Sequence, residues 1–139
     1  MKICICCSLT FTDEVKEIAK KLESFGHEIF LPNGVVIDAI KKADFNPITA
    51  KHANGYDAMR EHFNKIKESD VILICNFAKK NIENYIGANT FLEMGFAYCL
   101  KKPIYALNDL PKQPYIHDEI MAMHVEVIDG KLELFDINR

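Results

Sequence analysis

The chain has 139 residues, 49% hydrophobic and 27% charged, with a formal net charge of -3. That suits one packed domain, residues 1–139, and is too apolar for a disordered chain. The mild negative balance argues against a basic face for nucleic acid or anionic lipid, and no apolar run approaches the roughly 20 residues that span a bilayer.

The chain opens with MKICICCSLTFTDE, an apolar run without a small-residue cleavage pattern, which does not read as a signal peptide. Cys4, Cys6, Cys7, Cys75 and Cys99 make an odd set of five in apolar surroundings. They are expected to be reduced thiols in a cytoplasmic protein. Lys2 to Cys7 reads as the first strand, with Cys4 and Cys6 on one face. Without a C-x-x-C pair or Cys/His knuckle spacing, these cysteines are expected to be small buried apolar groups, with no metal site.

Asp13 to Phe25 carries Val15, Ile18, Ala19, Leu22 and Phe25 at helical spacing, with Thr12 as a candidate N-cap and Gly26 as the stop. His27 to Leu31 reads as a second strand. Residues 34 to 55 are irregular, with a short helix expected over Val35 to Ala43; such a long connection is often a binding loop. Tyr56 to Ser69 reads as a helix through Tyr56, Met59, Phe63 and Ile66, and Asp70 to Phe77 as a buried parallel strand. A helix then leads to a strand over Pro103 to Leu107. His117 to Met123 reads as helical, and Val125 to Ile128 and Leu132 to Phe135 as short extended pieces.

The alternation predicts an α/β Rossmann-like (flavodoxin-like) doubly wound domain, with a mostly parallel sheet of about five strands and helices on both faces. Ligands of such sheets bind beyond the carboxyl ends of the strands, where strand order switches. The loops Ser8 to Thr12, 32–55 and Asn76 to Thr90 therefore matter most. The six glycines form no G-x-G pair, and neither a P-loop nor a G-x-S-x-G elbow occurs.

Glu93 is the only charged residue between Asn84 and Leu100. Thr90-Phe-Leu-Glu93 matches a capping box, which would place Glu93 in the first helical turn. A carboxylate there is also favoured by the helix dipole, and its apolar neighbours limit competing water. Those are conditions for attack on a sugar C1.

The runs SDVILI at 69–74, YIG at 85–87, EMGFA at 93–97 and KKPI at 101–104 resemble the nucleoside 2-deoxyribosyltransferase superfamily, which includes 2'-deoxynucleoside 5'-phosphate N-hydrolases. The resemblance implies a small Rossmann-like domain with Glu93 as the nucleophile on C1'. It also implies a nucleoside or nucleotide substrate, no cofactor and a homo-oligomer. The carboxylate that assists the leaving base aligns with His62, which can exchange protons near neutral pH. A first-strand tyrosine aligns with Cys4, and Tyr85 is a candidate to replace it. A phosphate-reading serine aligns with Gly87, and a first-loop arginine falls near Thr10. Ser8, Thr10, Asn89, Thr90 and amides at the helix start remain as candidate phosphate contacts.

Asn76, at the end of the third strand, is either a ligand contact or a turn former. Tyr56, Asp57, Arg60, His52, His117, Asp118 and Glu119 read as surface or loop polarity. The catalytic candidates are thus Glu93 and His62, and the substrate-binding candidates are Ser8, Thr10, Asn76, Tyr85, Gly87, Asn89 and Thr90. The competing reading is a non-catalytic nucleotide-binding or sensing module of the same fold.

Overall fold

A computed structural model describes residues 1–32 and 57–139. The helix expected over 35–43, with His52 and Tyr56, lies outside the described residues. Five strands form one sheet in the order β2-β1-β3-β4-β5: β1 (Lys2–Cys7), β2 (Glu28–Phe30), β3 (Val71–Cys75), β4 (Ile104–Ala106) and β5 (Glu126–Val127). Every pairing is parallel. The order reverses direction between β1 and β3, so the loops that follow these two strands diverge there and leave a crevice. Their register pairs Ile3 with Val71 and Cys7 with Cys75, which brings out Ser8 and Asn76 side by side.

Strand alternation sorts the core into two layers. Ile3, Ile5, Cys7, Val71, Leu73 and Cys75 face helix α1 (Thr12–Ser24), which contributes Val15, Ala19 and Leu22. Cys4, Cys6, Ile72 and Ile74 face the other way, toward Ile66 of α2 (Ala58–Glu68), Met94 and Ala97 of α3 (Ala88–Cys99) and Ile120 of α4 (His117–Ala122). Burial on both faces explains why β1 and β3 are nearly continuous apolar runs. No helix among the described residues is long and apolar enough to cross a membrane.

Three local expectations are corrected. Thr12 is the first residue of α1 rather than its cap; Phe11 holds that position and gives no side-chain cap. Gly26 does end the helix, at φ 89°, a conformation that glycine adopts without strain. Leu132–Phe135 is a short 3-10 helix, not an extended piece. Its i, i+3 spacing puts Leu132 and Phe135 on one side of the turn, and both are buried in the α1-side core.

Thr90 does not cap α3 either. The helix begins a turn earlier, with Gly87 at the N-cap, where its carbonyl accepts from the Phe91 amide at 2.9 Å. Glu93 therefore belongs to the second turn, beyond the reach of a capping box.

Asn76 locks the crevice edge. Its fully buried amide donates to the carbonyls of Asn108 and Asp109, at 3.2 and 2.9 Å, and its oxygen accepts from the Asn108 amide at 3.0 Å. Asn108 returns a bond to the Asn76 carbonyl at 2.9 Å. Truncation would strand several of these buried partners. Asn76→Ala is expected to cost about 1–3 kcal/mol in urea unfolding; a change within about 0.5 kcal/mol would show that the lock is not structural.

Candidate functional site

Two helices each turn one ionisable residue inward. On α3, Thr90, Glu93, Met94 and Ala97 are buried together, the i, i+3, i+4, i+7 stripe that faces the sheet. On α2, His62 and Ile66 form the corresponding i, i+4 pair. Glu93 and His62 retain only 3% and 6% exposure. They meet above Cys4 and Cys6, the side chains of β1 that alternate onto this face.

One carboxylate oxygen of Glu93 accepts from the Asn89 side-chain amide at 2.6 Å, one helical turn back. The other, Oε2, lies 3.1 Å from His62 Nε2. That is ion-pair distance without hydrogen-bond alignment, so among the described residues buried Oε2 has no hydrogen-bond donor and buried His62 Nδ1 has no partner. His62 Nε2 also touches Cys4 Sγ at 3.7 Å and Cys6 Sγ at 3.5 Å. Uncompensated buried polar atoms are costly, and they tend to cluster where a ligand will supply the missing partner.

The surroundings set the protonation states. Burial works to lower the His62 pKa, but its contacts with Cys4 and Glu93, and their negative charge, outweigh burial and raise it to about 10. A hydrogen bond from Cys6, reinforced by His62, outweighs burial at Cys4 and lowers its pKa to about 6. Burial pushes the Cys6 thiol well above its usual range, and Cys7, on the opposite face, up to about 12. His62 is thus an imidazolium at neutral pH, between a carboxylate and a thiolate.

The remaining candidates occupy the carboxyl edge of the sheet. Ser8 Oγ and Thr10 Oγ1 are 3.2 Å apart, and the Lys79 ammonium donates to Ser8 Oγ at 2.8 Å. Lys79 and Lys80 both stand 5.7 Å from the centre of the Tyr85 ring. At Gly87, an added Cβ would sit 3.4 Å from that ring, an ordinary van der Waals contact, so Tyr85 packs directly over the start of α3. Gln113 clamps Ile86 on both sides, accepting from its amide at 2.7 Å and donating to its carbonyl at 3.0 Å, which fixes the approach to α3. Asn89 and Thr90 share the first turns of α3 with Glu93, while Asn76 is committed to backbone.

Sequence reasoning missed Lys79, Gln113 and the meeting of His62 with the two thiols. The alternation of Cys4 and Cys6 was visible. That α2 would lay His62 over that face was not, because it depends on tertiary packing.

The sign of each shift sets its pH window. His62, raised, stabilises the fold fully below 6.5, and this fades as pH climbs through about 10. Cys4, lowered, contributes above 9.0 and loses that contribution as pH falls through about 6. The opposing slopes level the pair's contribution between 6.5 and 9.0 and reduce it on either side. Ring nitrogen NMR should therefore show His62 still doubly protonated at pH 8; a His62 that titrates near its ordinary value of 6.5 would contradict the cluster.

No family model matches the chain, and no curated protein does. Solved structures that share its fold include two with known activities. One is a 2-deoxyribosyltransferase from Bacillus psychrosaccharolyticus, 18% identical, covering 77% of this chain and 72% of its own, with a TM-score of 0.50. The other is a CMP N-glycosidase from Clostridium botulinum, 17% identical, covering 96% of this chain and 92% of its own, also with a TM-score of 0.50. The all-parallel, doubly wound α/β fold of this chain is one that a deoxyribosyltransferase and a nucleotide N-glycosidase also have.

Proposed function

We propose that the chain breaks or exchanges the N-glycosidic bond of a nucleoside or nucleotide, with Glu93 as the nucleophile. The supporting observation is the state of its carboxylate. Asn89 holds one oxygen and orients it, and the other is buried beside a cation with no hydrogen-bond donor among the described residues. An oriented carboxylate shielded from water suits attack at an electrophilic carbon. The structural neighbours act in the same chemical class, one on nucleosides and one on CMP.

In the proposed reaction, a Glu93 oxygen bonds to C1' as the C1'–N bond breaks and its electron pair leaves with the base. The base nitrogen takes up a proton. His62 Nε2 faces Glu93 and the thiols, so the proton comes from Nδ1–H, the ring donor without a partner among the described residues. Water or a second base attacks C1', releases Glu93 and returns the sugar product. No cofactor is required.

Ser8, Thr10 and Lys79 form a cationic hydroxyl cluster at the edge of the crevice, a suitable place for a phosphate. This favours a nucleoside monophosphate over a free nucleoside. One feature supports the alternative of a ligand sensor without turnover: Cys4 replaces the tyrosine that the resemblance implies, and its thiol faces His62.

Incubation with a panel of nucleosides, deoxynucleosides and their monophosphates should release free base. Glu93→Gln should abolish release, and His62→Gln should lower it by roughly 10²–10⁴-fold. A ligand-induced rise in melting temperature without base release would favour the sensor. Unchanged release by Glu93→Gln would refute the assignment.

A further inference from the structure

Cys4, Cys6 and His62 present two sulfurs and a nitrogen, all within 4.8 Å of one another and all buried. We propose that this trio binds a zinc-class divalent cation, with Glu93 as the fourth ligand. The ligands come from three elements that the fold holds rigidly together: β1, α2 and α3.

The spacing agrees with the geometry of such an ion. Tetrahedral zinc, with Zn–S near about 2.3 Å and Zn–N near about 2.0 Å, sets sulfur and nitrogen ligands about 3.5 Å apart. His62 Nε2 lies 3.7 Å from one sulfur and 3.5 Å from the other. Nitrogen and oxygen ligands of the same ion stand about 3.3 Å apart, and Glu93 Oε2 is 3.1 Å from that nitrogen. Cys4 and Cys6 have the separation that strand alternation gives, two residues apart on one face, so no loop need rearrange to bring them together.

A second observation points to a ligand independently of spacing. Among the described residues, none donates a hydrogen bond to buried Glu93 Oε2, a position that a cation would satisfy. Two thiolates and an imidazole select a borderline-soft ion over magnesium or calcium, which take oxygen ligands. The usual sequence spacings of zinc proteins are absent because the ligands are gathered by packing and not by a local knuckle.

Such an ion would hold both Glu93 and His62. Metal loading and glycosidic turnover would then exclude one another, a consequence that rests on the proposed function; the metal site itself does not. An ion that entered the crevice would silence the enzyme until it was removed.

The test uses the full chain, reduced with a non-thiol reagent, stripped with a chelator and titrated with Co²⁺. One equivalent should produce sulfur-to-cobalt charge-transfer absorption and the visible bands of tetrahedral cobalt, both displaced by Zn²⁺. Cys99→Ser, which removes the exposed thiol, should leave the spectrum intact, while Cys4→Ser and Cys6→Ser should each weaken it. Should those two variants fail to fold, X-ray absorption of the zinc-loaded natural chain decides, with two sulfurs expected at about 2.3 Å. Absence of charge-transfer absorption at one equivalent, its loss in Cys99→Ser, or a sulfur-free zinc environment would overturn the proposal. The readout is spectroscopic, so the site stands or falls even if no base is ever released.

Discussion

A carboxylate at 3% exposure, 3.1 Å from an imidazolium, is the contact on which the site depends. Removing a charge from water costs several kcal/mol unless a partner offsets it. Here the partners are His62 on one side of Glu93 and Asn89 on the other. Neither helix could turn its ionisable residue inward alone. The inward face of α2 tolerates His62 because Glu93 and Cys4 supply negative charge, and α3 tolerates Glu93 because His62 supplies the positive. The arrangement couples helix packing to electrostatics: shifting either helix would leave two buried groups unpaired.

The sheet decides where this cluster stands. β1 and β3 lie together at the centre of the sheet, and the switch in strand order opens a crevice beyond their ends. Asn76 fastens the loop after β3 to the loop after β4, and Gln113 fixes the segment that enters α3. These side-chain amide hydrogen bonds hold the loops at the carboxyl edge, and the charged cluster lies buried over β1. The hydroxyls of Ser8 and Thr10 and the ammonium of Lys79 complete the rim with groups suited to an anion.

Much of the fold was legible in the chain. Apolar runs such as VILIC at 71–75 mark strands covered on both sides, and the helical stripe of Val15, Ala19 and Leu22 is local information. Glu93 stood out because it was the one charge in an apolar segment. Its position in the helix was misjudged because Thr90-x-x-Glu93 imitates a capping box, while the true start at Gly87 carries no side-chain signal. The 3-10 turn at Leu132–Phe135 was misjudged because a four-residue apolar pair reads equally well as a strand. The cluster around His62 was hidden for a different reason. Its members lie 56 and 58 residues apart in sequence, and only packing brings them together.

Two proposed uses of this cluster compete: a glycosyl acceptor with its acid, and a cage for a soft cation. Both draw on the same buried group, the Glu93 oxygen to which no described residue donates. The most direct measurement of the central claim is to quench the chain during reaction with a nucleoside monophosphate and map its peptides by mass. The account predicts a sugar-phosphate ester on Glu93 and on no other residue. Base release with an unmodified Glu93, or an adduct elsewhere, would contradict it.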